Sequence, residues 1–217
     1  MKKYIFFLVL ALLSATAGAQ TLHDSVAFDK GLTLIATSQS VQDYINAGQY
    51  FDKLTKTLQQ DWLAPLYAAL SCVLAAQHET DGKNIDALCD EAQVYLDTAT
   101  TRNADVSEVA AVQAFLYQAR INVAPAERGL IYAEKADAEI KKAEAANPND
   151  PRPYFLYAMN VYYTPKIFGG GPSKALPLFE QAAVKFDAFL PSMPFMPHWG
   201  EQQNDEMIAK CKQETGQ

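Results

Sequence analysis

Apolar and polar positions along this chain alternate with a helical period through most of its length. After Ser40, the residues Tyr44, Ala47, Phe51, Leu54 and Leu58 recur at three and four positions, which draws one apolar face down a helix that Ser40 caps. The segment before it, SVAFDKGLTLIATS after Asp24, has a looser stripe of Val26, Leu32 and Leu34, and Gly31 weakens it as a helix. From Trp62 to Gln77 the chain is apolar nearly all round. A helix that short does not span a bilayer, which takes roughly 20 residues, so it is buried among neighbours. Pro65 sits in its first turn, where the missing amide costs nothing. The turn ETDGKN follows, and then a helix with Leu88, Ala92, Tyr95, Leu96 and Ala99 on one face. Ser107 opens the next, with Glu108 in its first turn, where the helix dipole favours a carboxylate. That helix ends near Val123, ahead of Pro125. A longer one, from about Ala126 to Ala146, stops at Asn147 and Pro148.

The last third is more irregular. An aromatic helix from Pro151 to Tyr163 meets a triple-glycine break at Gly169, Gly170 and Gly171. A helix from about Ser173 to Phe186 comes next, then the proline-rich strap PSMPFMPHWG, and a final helix from about Glu201 to Cys211. No stretch alternates with period two for long enough to form a strand, and no βαβ pattern appears, so the fold class is all-α.

A pattern repeats within this series. The second helix of each hairpin carries Ala, a large apolar residue four on, and usually Ala three further on: Ala47, Phe51, Leu54; Ala92, Leu96, Ala99; Ala136, Ile140, Ala143; Ala175, Phe179, Ala182. Small residues seven apart let a neighbouring backbone approach, and the large residue between them fills the groove. A hairpin that cannot bury its apolar face alone stacks on the next. At these residues the chain resembles the tetratricopeptide-repeat family, whose second-helix signature A-x3-F-x2-A-x4-P is met at Ala136, Ile140, Ala143 and Pro148. Trp62 and Tyr154 stand at the family's first-helix aromatic position and Ala158 at its small one. The repeats here are longer than the family's roughly 34 residues, and the first-helix pattern is largely missing. The chain is also similar to uncharacterised secreted tetratricopeptide-like proteins of the Bacteroidetes type at Trp62, Leu63 and Pro65, from Asn147 to Arg152, at Thr164, Pro165 and Phe168 to Gly171, and at Pro197, Trp199 and Gly200. The resemblance implies a right-handed α-solenoid of about four helical hairpins with a C-terminal capping helix. It implies no activity.

The amino terminus changes the setting. MKKYIFFLVLALLSATAGAQ has two lysines, a ten-residue apolar run and a closing Ala17, Gly18, Ala19, the build of a secretory signal peptide over 1–19. Residues 20–217 then form one tetratricopeptide-like domain, exported and most simply periplasmic. Gln20, where a lipoprotein would carry cysteine, argues against a lipid anchor, and no membrane span is expected after the cut. The chain has a net charge of −7, about −9 once Lys2 and Lys3 leave with the leader. An acidic chain without a basic stripe is a poor partner for nucleic acid or anionic membranes.

Three cysteines enter an oxidising compartment. Cys72 and Cys89 lie equally far either side of the turn ETDGKN, level across an antiparallel helix pair; they form either a disulfide or two buried thiols, with Cys211 the spare. The histidines His23, His78 and His198 are scattered, and no Cys or His pair has zinc-ligand spacing. No nucleophile has an evident base, and Gly169 to Lys174 lack the spacing of a nucleotide loop. These observations point away from an enzyme and from any cofactor or metal. The candidate ligand site is Arg152, Tyr154, Tyr157, Tyr162, Tyr163, Lys166 and Phe168, where flat rings and hydroxyls stand beside cations; the plainer reading is hairpin packing. Phe195, Met196 and Trp199 of the strap are expected to pack across the end of the stack or to offer a contact site. The leading functional expectation is a non-enzymatic periplasmic scaffold for an envelope protein or peptide. The alternative is a small-molecule-binding accessory protein of solute transport.

Overall fold

The structure, a computed structural model, describes residues 25–216. The leader, the cut at Gln20 and His23 lie outside the described residues. The described residues form nine α-helices and no strand: α1 (25–37), α2 (Val41–Thr57), α3 (Leu63–His78), α4 (Gly82–Thr101), α5 (Val106–Ile121), α6 (Pro125–Ala146), α7 (Pro151–Tyr163), α8 (Pro172–Ala188) and α9 (Glu201–Thr215). One 3-10 turn, Lys166–Phe168, interrupts the α7–α8 connection.

Local chemistry sets the boundaries. Ser40 and Asp43 form a reciprocal capping box at the start of α2. Asp81 accepts from the amides of Lys83 and Asn84 at the start of α4. The cap of α5 is Asp105 and not Ser107; this frees the Ser107 hydroxyl to donate to the Ala143 carbonyl and to Asp150. Prolines open α6, α7 and α8.

Helices adjacent in sequence pack together as hairpins, α2 on α3, α3 on α4, α5 on α6, α7 on α8 and α8 on α9. In addition α3 touches α5, and α5 touches α7, so these helices form an inner layer. That double contact is why α3 and α5 are buried nearly all round. The even-numbered helices turn their alanine faces inward: Ala47, Ala92, Ala99, Ala136, Ala143, Ala175 and Ala182 are fully buried, with Phe51, Leu96, Ile140 and Phe179 between them. Gly31, a weak helix former by sequence, lies where the Phe51 ring presses on α1; a Cβ there would come within 2.9 Å of the ring carbon Cε1.

Charged side chains tie the layers. Arg102 donates to the carbonyls of Thr55, Leu58 and Asp61, fastening the end of α4 to the end of α2. Arg120 and Arg128 both donate to Asp86, linking α4, α5 and α6, and the Arg128 guanidinium holds the Asp86 carboxyl below its usual range.

Candidate functional site

The segment 189–200 leaves α8 without regular structure and reaches four other helices. Phe189 lies under the Arg152 guanidinium at 5.6 Å on α7. The Phe195 carbonyl accepts from the Tyr67 hydroxyl of α3 at 2.8 Å, and its ring stacks on Phe28 of α1. The Pro197 carbonyl accepts from Arg152, and Trp199 stacks on Phe115 of α5 at 5.3 Å. The strap therefore runs along the inner layer and is not confined to the end of the stack. Phe195 takes a left-handed conformation, φ 63°, which costs a residue with a Cβ about 1–2 kcal/mol. The indole N–H of Trp199 is buried with no hydrogen-bond partner. The strap's seat is thus held by ring stacking and by two carbonyls at the expense of local ideality.

Arg152 is fully buried beneath this strap and is not available to a ligand. It donates to both oxygens of Glu108 at 2.6 and 2.7 Å, to both oxygens of Asp150 at 2.7 and 2.9 Å, and to Pro197. One guanidinium faces two carboxylates, so the fully ionised cluster carries net negative charge away from water. Burial pushes the Glu108 carboxyl up to about 7, against the pull of Arg152, while Asp150 raises it further. The ordinary value of a glutamate is 4.5, and the unfolded chain takes it. The native state therefore holds a proton that the unfolded chain releases, and this contribution to stability is complete below 4.5 and is lost as pH rises through 7. Glu108→Gln is expected to remove that dependence: urea midpoints at pH 5 and 7.5 should differ less in the variant than in the native protein, and equal differences would contradict the assignment. The sequence signal for the cluster was a glutamate inside an otherwise apolar inner helix, a position that requires a cation.

The structure divides the remaining candidates. The Tyr154 hydroxyl donates to the Pro148 carbonyl at 3.2 Å, and Lys185 of α8 lies 4.1 Å over its ring. Tyr162 donates to Glu214 of α9 and meets Tyr163 edge-on at 4.9 Å. Tyr157 is half-exposed on α7, and Tyr163, Lys166 and Phe168 stand exposed at the α7–α8 turn. At 100° per residue, rings at 154, 157, 162 and 163 point around the helix, so one face does not gather them.

What does gather is a cleft beside Tyr154. The extended exit of the chain at Phe189 and the turn Asn147–Asp150 leave a hollow of about 590 Å³, lined by Val184, Lys185, Phe189 and Leu190 with Asn147 and Asn149. Its size suits a small molecule. Val184 and Leu190 are 68% and 86% exposed at its edge, an apolar surface that folding leaves uncovered. The Lys185 ammonium donates to the Pro148 carbonyl at 2.8 Å, which holds it at the cleft with donors to spare. An apolar wall facing an ammonium and two amides can take a flat apolar molecule that carries carboxylates. No His or Cys lines it. Sequence reasoning missed Lys185 and Leu190; the available signal was Val184, an apolar residue off the buried stripe of α8, and Leu190 just beyond its end. A second hollow, about 480 Å³ between α2 and α4, has Glu79 and Glu91 among its lining residues. Glu79 is already engaged there by the amides of Thr80 and Asp81.

Cys72, Cys89 and Cys211 are all buried free thiols. The Cys72–Cys89 bond that the spacing allowed is not formed, and the Cys89 thiol points instead to the Leu116 carbonyl of α5. Burial raises both thiols, that of Cys89 to about 11, so neither is a ready thiolate. Among the described residues no group of three or more His, Cys, Asp or Glu side chains could hold a metal ion, and no helix is long and apolar enough to cross a membrane.

No family model and no curated protein matches the chain. Among solved structures, the HusA haemophore from Porphyromonas gingivalis superposes with a TM-score of 0.77 at 33% sequence identity, over 88% of this chain and 94% of that one. The chain belongs to the HusA haemophore family. The match spans most of this chain and nearly the whole of the HusA chain, and is not that of an isolated repeat. That relative is by name a haemophore.

Proposed function

We propose that this protein is a secreted carrier that binds haem or a related porphyrin in the cleft beside Lys185, on a tetratricopeptide-like solenoid exported by the leader 1–19. The observation that carries the reading is a 590 Å³ cleft that joins the apolar side chains of Val184, Phe189 and Leu190 to the Lys185 ammonium in a member of the HusA haemophore family. A porphyrin is flat and apolar across its face and anionic at its propionates. Val184, Phe189 and Leu190 meet the first property; Lys185, Asn147 and Asn149 meet the second. The strap's place along the inner layer favours this small-molecule reading over a peptide laid along that layer, the scaffold alternative, because the strap already makes the contacts such a peptide would need.

With no His or Cys lining the cleft, binding should rest on the porphyrin face and its carboxylates, not on the iron. Absorbance and fluorescence titrations with haemin and with metal-free protoporphyrin are expected to give affinities within a few-fold of each other. Leu190→Asp places a charge in the apolar wall and Lys185→Glu reverses the charge that meets a propionate. Each should weaken both ligands by roughly tenfold or more, the equivalent of about 1.4 kcal/mol. Since Leu190 is almost fully exposed, the melting temperature of its variant should stay near native. Unchanged affinity in both variants would remove the ligand from this cleft, and the absence of any porphyrin binding would end the proposal.

A further inference from the structure

Among the described residues, the α7–α8 turn presents the most exposed cluster of large apolar side chains outside the cleft. Ile167 is 85% exposed, Phe168 75% and Tyr163 66%. Local structure holds them out rigidly. The Phe168 amide donates to the Pro165 carbonyl at 2.8 Å and the Gly169 amide to Lys166 at 3.0 Å, so the tip leaves neither backbone N–H unpaired. The Gly171 amide donates to the Val161 carbonyl at 2.9 Å. Gly170 packs so closely on the end of α7 that a Cβ would come within 2.6 Å of the Val161 carbonyl. A turn pinned at both ends, with its own amides paired, shows its apolar side chains by construction and not because the chain is slack.

Charge around the tip differs from the rest of the protein. On a chain of net charge −7, residues 151–179 contain no Asp or Glu, while Lys166 and Lys174, both exposed, flank the apolar group. Carboxylates from other helices reach the end of α7 on either side: Asp137 of α6 accepts from Asn160, and Glu214 of α9 accepts from the Tyr162 hydroxyl. At physiological ionic strength fields fade over about 8 Å, so the groups closest to the tip weigh most in what meets it: Lys166 and Lys174, with Lys210 over the Tyr162 ring to oppose Glu214. Three side chains of this exposure offer about 400–500 Å², short of the roughly 800 Å² per partner of a stable protein interface. Aromatic and aliphatic side chains with flanking lysines, on backbone that needs no further hydrogen bonds, fit the interfacial zone of a lipid bilayer, which asks for little area and no shape complementarity.

We propose that this turn inserts Ile167 and Phe168 into an anionic lipid surface, with Lys166 and Lys174 at the head groups, and so holds the exported protein against a membrane without spanning it. This surface is separate from the cleft and does not depend on what the cleft binds. It also refines the expectation from net charge, since the acid-free turn escapes the repulsion that the chain as a whole would feel.

The test is co-sedimentation of the exported protein with vesicles of phosphatidylcholine alone and of phosphatidylcholine with phosphatidylglycerol, at about 0.15 M salt. Binding is expected to the anionic vesicles and to be at least several-fold weaker to the neutral ones. The double variant Ile167→Ser, Phe168→Ser should lose roughly tenfold or more in partition, and Lys166→Glu, Lys174→Glu should abolish the preference for the anionic lipid. All four positions are exposed, so thermal melts should be unaltered. As an independent readout, the emission of Phe168→Trp should shift to the blue on adding anionic vesicles. No sedimentation with either vesicle would overturn the proposal and leave the tip as a protein contact. Full binding by the Ser variant, or no shift in the Trp variant, would overturn it as well.

Discussion

Arg152→Ala is expected to be among the most damaging single substitutions in this protein, lowering stability by about 3–5 kcal/mol. The expectation follows from what the change leaves behind. Glu108 and Asp150 would remain in the interior, 2% and fully buried, having lost the donors that now meet all four of their oxygens. The Pro197 carbonyl would lose its partner as well, and with it one of the strap's two polar attachments to the inner layer. A loss of that size is a large fraction of the roughly 5–15 kcal/mol that separates folded from unfolded states. For a chain of this length it amounts to roughly 10 °C or more in melting temperature. Arg152→Lys should recover only part of the loss, because one ammonium cannot reproduce a planar fork that serves two carboxylates at once. Thermal melts at pH 7 followed by circular dichroism would show this order. A change in the alanine variant of less than about 1 kcal/mol would mean that the carboxyl groups find protons or water instead.

Phe51→Ala should cost about 3–5 kcal/mol, the range for removing a large aromatic from a close-packed core. The ring is fully buried, stacks on Tyr67 at 5.0 Å, and meets Phe28 and Tyr50 at tilted and edge-on angles. It also rests on the bare backbone of Gly31. Alanine in place of this glycine gains about 1 kcal/mol of helix propensity, yet its Cβ would run into the ring. Gly31→Ala should therefore destabilise the native protein and become neutral or stabilising once Phe51 is alanine. Denaturant unfolding of the two single variants and the double variant measures the coupling directly. Additive effects would show that ring and backbone are not packed as described.

The contrast between these residues shows what a sequence of this kind exposes. The alanine faces of the even-numbered helices were legible because one helical period places Ala47 with Phe51 and Ala175 with Phe179 whatever the neighbours are. The caps and stops were legible for the same reason: Ser40, Asn147 and Pro148 act within a turn of where they stand. Gly31 was visible only as a weak helix position, since its partner lies twenty residues away on another helix. Arg152 looked like a cation among tyrosines, although its carboxylate Glu108 is 44 residues upstream and nothing local announces the pair. The tyrosines of α7 followed the helix around its axis and were divided among α8, α9 and the turn. The cleft at Lys185 belongs to no single element. It exists because the strap leaves α8 in an extended conformation beside the turn after α6, and two backbone paths meeting in space leave no mark in either segment alone.

The route of the strap bears on how the molecule comes apart. Chains built from stacked hairpins have mostly nearest-neighbour contacts, so their ends can fray while the middle persists. Here the hydroxyl of Tyr67 reaches a carbonyl 128 residues further along the chain, and Phe28 of the first helix stacks on that same residue. The final tenth of the chain is thereby fastened to its beginning, converting a linear array into a loop closed on itself. Opening the first helix therefore breaks its stacking on the strap as well as its packing on α2. The hairpins should be lost together in one transition, and the long-range closure should make folding slower than the local helices alone would allow.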